Sequence, residues 1–143
     1  MIEDLLKGLW SSLATDPTLK SKLSTYTPPG GTAVPAIFLN LGPRNAAMPY
    51  IVMSGDTNVE ETPATERYAC AVDIFAKSPS PASVLGIGQR IEELWDFKTP
   101  AISKVTLLGI MRQNKALVPD DEEDIQHLHL TFIVRYCRND LYD

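Results

Sequence analysis

The stretch VPDDEEDIQHLHLTFIVRYC, residues 118–137, holds the side chains best suited to chemistry. Asp120, Asp121, Glu122, Glu123 and Asp124 are consecutive carboxylates, and His127 and His129 follow with one leucine between them. Two histidines at i and i+2 on a strand place their Cβ atoms about 7 Å apart on one face, near enough for the rings to share a metal ion. Such a site needs one or two further ligands, and Asp121, Glu122, Glu123 or Asp124 lie within sequence reach. No HExxH and no Cys/His cluster accompanies the pair, and the chain has no third histidine. Paired carboxylates for glycoside hydrolysis must project into a cleft, whereas consecutive acids on a connection repel one another and favour water. There is no GxSxG turn, and neither Cys70 nor Cys137 has an evident basic partner. GIGQR at 86–90 lacks the third glycine of a dinucleotide loop and falls inside a helical pattern. The expectation is a chain with no catalytic residues, no metal and no cofactor.

Alternation shows how the histidines are carried. Gln126, Leu128, Leu130, Phe132, Val134 and Tyr136 share one almost wholly apolar strand face, and His127, His129, Thr131, Ile133, Arg135 and Cys137 share the other. Both histidines therefore point away from the core, and the acids form the connection before the strand. The histidine face is partly apolar through Ile125, Ile133 and Cys137, which fits burial against another subunit better than simple exposure.

The elements that position this strand follow from periodicity. Ile2, Leu5, Leu6, Leu9, Trp10 and Leu13 form one stripe of an N-terminal helix. TDPTLKSKL restarts helix, with Asp16 as N-cap and Pro17 at the first helical position. YTPPGG at 26–31 reads as loop. Strands are expected near 35–41, 49–55 and 66–77, with Tyr68, Cys70, Val72 and Ile74 facing the core and the polar segment GDTNVEETPATE as a mobile loop. Ser80 and Pro81 open a second main helix whose stripe is Val84, Ile87, Ile91, Leu94 and Trp95, and Gly86 and Gly88 let it approach the sheet. SKVTLLGIMRQNK and DIQHLHLTFIVRYCRN close the chain as an antiparallel pair joined through ALVPDDEED. The order predicts an α+β fold: a mainly antiparallel sheet of about five strands with two main helices packed on one face.

Composition bounds the rest. A chain of 143 residues, 44% hydrophobic and 22% charged, is most simply one domain spanning 1–143. A net charge of −5 argues against a protein that grips nucleic acid through its phosphates. The two cysteines are too few for a disulfide framework and fall on opposite faces, so reduced thiols are expected. MIEDLLKGLW carries acids where a signal peptide needs lysine or arginine, and no apolar run approaches the roughly 18 residues of a membrane span. The expectation is a soluble chain, not exported by the usual route.

Over nearly its whole length the chain resembles the tail-completion or tail-terminator proteins of long-tailed bacteriophages, which prophages and phage-derived particles also carry. The resemblance rests on the N-terminal helix in MIEDLLKGLWSSLATDPTL and the proline-led strands in VPAIFLN and MPYIVMSGD. It continues in the strand–helix unit RYACAVDIFAKSPSPASVLGIGQRIEELWD and the final pair ending LHLTFIVRYC. It implies a non-enzymatic virion protein, made in the bacterial cytoplasm, that assembles as a hexameric ring at the tail end. The ring's partners would be copies of itself, the tail-tube protein and a head-completion or connector protein, with DNA passing through unbound. Under this resemblance the candidate lumen or subunit-interface residues are Asp120, Asp121, Glu122, Glu123, Asp124, His127, His129 and Ile133. Two other readings compete. One is a head–tail joining or minor tail protein of the same neck region. The other is a small-molecule-binding domain, which requires a concave apolar pocket with convergent polar groups.

Overall fold

The computed structural model describes residues 2–43, 46–122 and 124–137. Helix α1 (Ile2–Ala14) buries Leu5, Leu9 and Leu13, each one turn from the next, and leaves Glu3 and Lys7 paired on its outer side. The chain turns at Asp16, whose carboxylate accepts the Leu19 N–H at 2.9 Å and caps helix α2 (Pro17–Lys22). Pro17 sits in the first turn, where its missing N–H leaves no hydrogen bond unmade. Arg90 of helix α3 (Ala82–Trp95) reaches the same carboxylate with Nε at 2.9 Å and Nη2 at 2.7 Å, a bidentate ion pair that ties α2 to α3. The Arg90 guanidinium holds the Asp16 carboxyl below the ordinary aspartate range.

The strands form two sheets. β1 (Thr25–Tyr26) and β2 (Val34–Pro35) make a small antiparallel ladder. The main sheet comprises β3 (Ile37–Leu39), β4 (Tyr50–Thr62), β5 (Thr65–Lys77), β6 (Thr106–Val118) and β7 (Ile125–Cys137), in the order β3-β4-β5-β7-β6. All neighbours are antiparallel except β3 beside β4. The helices pack on one face. Their buried stripes meet Tyr68, Cys70, Val72 and Ile74 of β5 and Leu128, Leu130, Phe132, Val134 and Tyr136 of β7. Trp95 packs edge-on against Phe132 at 5.2 Å and donates its indole N–H to Ser12 Oγ at 2.8 Å, so the largest core side chain has its polar atom satisfied.

The α+β architecture, the face assignments of β5 and β7, and the Asp16 cap agree with the sequence reading. Five local expectations are corrected. GDTNVEETPATE is not a loop, because β4 and β5 continue through it and turn only at Pro63 and Ala64. The strand expected at 35–41 is split, with Val34–Pro35 pairing to β1 and Ile37–Leu39 to β4 before Asn40 turns the backbone at φ 70°. Tyr26 belongs to β1, and the loop proper starts after it, passing through Gly30 at φ 73°. Pro81, not Ser80, occupies the cap of α3, while the Ser80 hydroxyl accepts the Ala82 N–H at 3.2 Å. Of the two helix glycines only Gly88 meets the sheet: a Cβ there would lie 2.5 Å from Leu128 Cδ2, whereas one at Gly86 would meet only the Lys22 Nζ of α2, at 4.0 Å.

Two tests follow. Asn caps a helix as well as Asp but carries no charge, so Asp16→Asn isolates the ion pair. The folded Asp16 carboxyl ionises at lower pH than the unfolded one, so its stabilisation is complete above the ordinary aspartate range and lost as pH falls through the lowered value. Thermal melts should show wild type above Asp16→Asn near neutrality, with the gap closing as the pH falls below the ordinary aspartate range; a gap that widens contradicts this. A Cβ at Gly55 would run into the ring and hydroxyl of buried Tyr68. Gly55→Ala should therefore lower stability by about 1–3 kcal/mol in urea denaturation.

Candidate functional site

Because the helices cover one face of the sheet, the odd-numbered side of β5 and β7 is left without a second layer. Cross-strand register sets what lies on it. Tyr50 is opposite Phe75, and Phe75 is opposite His127. Phe38 of β3 completes the row, with Tyr26 beyond it. Ring centroids step across the sheet at 5.3 Å (Tyr26–Phe38), 5.9 Å (Phe38–Tyr50), 5.2 Å (Tyr50–Phe75) and 4.2 Å (Phe75–His127). This aromatic ladder stiffens the end of the face next to the β6–β7 tip. Burial, with the Asp120 carboxylate nearby, pushes the Tyr50 phenol above its ordinary value.

Both histidines project from this face, as alternation requires, and converge on one acceptor. Asp73 Oδ1 lies 2.6 Å from His127 Nε2 and 2.7 Å from His129 Nδ1, and the Thr131 hydroxyl lies 3.2 Å from His129 Nε2. All four side chains are more than two-thirds buried. One nitrogen of each ring is thus directed at the same carboxylate oxygen. Among the described residues no three His, Cys, Asp or Glu side chains are arranged to hold a metal ion.

Toward the other end the face carries Ala69 and Ala71, then Ile133 opposite Met111, then Arg135, whose Nε donates to Glu61 Oε2 at 3.0 Å. Edge strand β6 is bulged twice, between Leu107 and Gly109 and between Arg112 and Asn114. Its outer backbone is partly capped: Phe97 N–H donates to Ile110 O at 2.8 Å, and Arg112 N–H to Asp96 Oδ1 at 2.9 Å. Bulges and such caps discourage indiscriminate strand pairing at an edge. Capping holds Phe97 at φ 58° with its ring 78% exposed, beside a groove of about 320 Å³ that includes Leu108, Met111 and Ile133. This groove is apolar and continuous with the open face.

Of the residues singled out in the sequence, His127, His129 and Ile133 share the open face. Asp120, Asp121, Glu122 and Asp124 lie exposed at the β6–β7 tip, apart from the histidines' hydrogen-bonded cluster, and Glu123 lies outside the described residues. Asp73, Phe75, Tyr50 and Phe38 were missed as partners, although the parity of β5 does place Asp73 on the histidine side. A concavity of about 450 Å³ between α1 and residues 101–104 has Asp4 and Lys7 at its rim. Among the described residues no helix is long and apolar enough to cross a membrane.

Comparison with solved structures finds a chain in the virion of a native gene transfer agent particle, with a TM-score of 0.73 over 93% of this chain and 94% of that one. The two share their fold. Sequence identity between them is 15%, so the likeness is one of architecture, running through the helices and the sheet alike. No family model and no curated protein matches the sequence.

Removing the shared acceptor leaves two half-buried imidazole N–H groups without their partner. Asp73→Ala should cost about 1–3 kcal/mol of stability, read as a lower urea midpoint with an unchanged slope. A variant as stable as wild type would show that the cluster contributes nothing to the free fold.

Proposed function

We propose that the chain is a structural virion protein, not an enzyme, that assembles as a ring at the end of a phage-type tail. In this role it stops tube growth and presents a surface to the head connector. The observation that carries the reading is the fold shared with a gene transfer agent virion chain over almost the full length of both. The tail-terminator resemblance of the sequence supplies the finer role and the hexameric ring.

The open sheet face supports self-association. A ring is built from heterologous contacts, in which one surface of each copy meets a different surface of the next. A face of aromatic, alanine and isoleucine side chains whose polar groups are already paired to one another suits burial better than water does. His127, His129 and Ile133 belong to that contact. The Asp120–Asp124 tip, on a chain of net charge −5, faces either the lumen, where like charge keeps DNA from adhering, or a ring neighbour. Partners are then further copies, the tail-tube protein and a head-completion or connector protein.

Deleting the gene from its source genome and imaging particles by negative-stain electron microscopy tests the role. Overlong tails, or full heads beside unjoined tails, are expected. Normal-length tails joined to heads would remove it. In the same system, serines at Asp120, Asp121, Glu122, Glu123 and Asp124 should reduce the yield of infectious or DNA-transferring particles, and full activity would show that the tip is dispensable.

A further inference from the structure

The apolar groove beside Phe97 opens into a second concavity of about 430 Å³, and Met111, Ile133 and Arg135 line both. The second part is basic. Arg67, Arg112 and Arg135 line it, and among the described lining residues Glu61 is the one carboxylate. Glu61 is shared: Arg135 Nε donates to its Oε2 at 3.0 Å, and Arg67 Nε stands 3.9 Å from its Oε1. A single carboxylate does not occupy the donors of two guanidinium forks, and these two arginine side chains are about half exposed. Arg112 directs Nη1 at Glu92 Oε1 across 3.5 Å, while Lys115 Nζ holds that same oxygen at 2.8 Å. On a chain of net charge −5, this corner therefore concentrates positive charge.

The apolar part is fixed at a conformational cost. Phe97 lies at φ 58°, a region that residues with a Cβ seldom occupy. Its N–H donates to Ile110 O at 2.8 Å, and the adjacent Asp96 carboxylate accepts the Arg112 N–H at 2.9 Å. These bonds hold the backbone in place and leave Phe97, Leu108 and Met111 exposed around the groove. They also occupy backbone groups of the β6 edge, so a partner seated here meets side chains and does not extend the sheet at this point. Exposed apolar groups set beside unspent guanidinium donors are the two halves of one recognition surface.

We propose that this groove binds an acidic segment of a partner protein. A large apolar side chain of that segment sits against Phe97, Leu108 and Met111, and its carboxylates meet Arg67, Arg112 and Arg135. The planar guanidinium matches a carboxylate in two parallel hydrogen bonds, and opposite charge fixes the direction of the segment along the groove. Nucleic-acid phosphates would satisfy the arginines, but a phosphate backbone offers no large aliphatic side chain for the other half, and the chain's overall charge repels it. The inference concerns the free chain and does not rest on the ring or on the tail.

Selection of a displayed library of random linear peptides on the purified chain tests it. Enriched sequences should combine acidic residues with an aromatic or large aliphatic residue. A labelled synthetic peptide of the enriched sequence, followed by fluorescence anisotropy, should bind wild type. It should lose on the order of tenfold in affinity to Phe97→Gly, and as much to Arg67→Gln combined with Arg112→Gln. Glycine adopts a positive φ without penalty, so the first variant removes the ring and keeps the turn. The second leaves the Arg135–Glu61 bond in place. Melting curves establish that each variant is folded. Binding should also weaken as salt rises from about 50 mM to about 500 mM. No enrichment, enriched peptides without acids, or affinity unchanged in both variants overturns the inference. So does labelled duplex DNA that binds more tightly than the peptide and is lost with the two arginines, or self-association of the chain alone that those two changes abolish. Each of these outcomes leaves the tail role standing, because the gene deletion decides that separately.

Discussion

Strand β5 is paired to β7 along its whole length and to β4 from Thr65 to Phe75, and a paired strand allows its side chains only two directions. That constraint organises the molecule. Even-numbered side chains of β5 and β7 go to the helices, and everything else must live on the opposite face. A slip of one residue would bury Asp73 and both histidines under α3 and expose Val72 and Leu130, so the apolar pattern locks the register. The polar cluster is thus a by-product of the same alternation that builds the core.

Much of this was legible in the sequence, and the reasons are physical. The 126–136 alternation is nearly unbroken because β7 lies against helices on one side only. Asp16 before Pro17 is a local signal and held. The 55–66 segment was misread because its strands run beyond the helix layer, where no core imposes a pattern and polar residues carry no penalty. The same reason hides the end of β6: Ala116, Leu117 and Val118, read as part of the connection ALVPDDEED, are exposed yet continue the strand and pair with His129, Leu128 and His127. Pairings across the fold, Asp16 with Arg90 and Asp73 with the two histidines, depend on register and helix docking that no local pattern encodes.

The candidate surface joins an aromatic ladder, a self-paired polar centre and an apolar groove at a capped, twice-bulged edge. Each of these resists a different hazard of an uncovered sheet: the ladder resists twisting, internal pairing avoids stranded charge, and capping blocks unplanned strand addition. Together they leave a sheet face whose polar side chains pair among themselves and whose edge is closed to indiscriminate pairing. The same fold occurs in a chain of a gene transfer agent virion.

The most direct measurement is hydroxyl-radical footprinting of the purified chain and of intact particles that contain it. Burial of the sheet face in the assembly predicts that Phe75, Met111 and Ile133 are modified in the free protein and protected in the particle. Ile2, at the exposed start of α1, then serves as a reference on the opposite side. Equal modification of Phe75, Met111 and Ile133 in both samples would contradict the account.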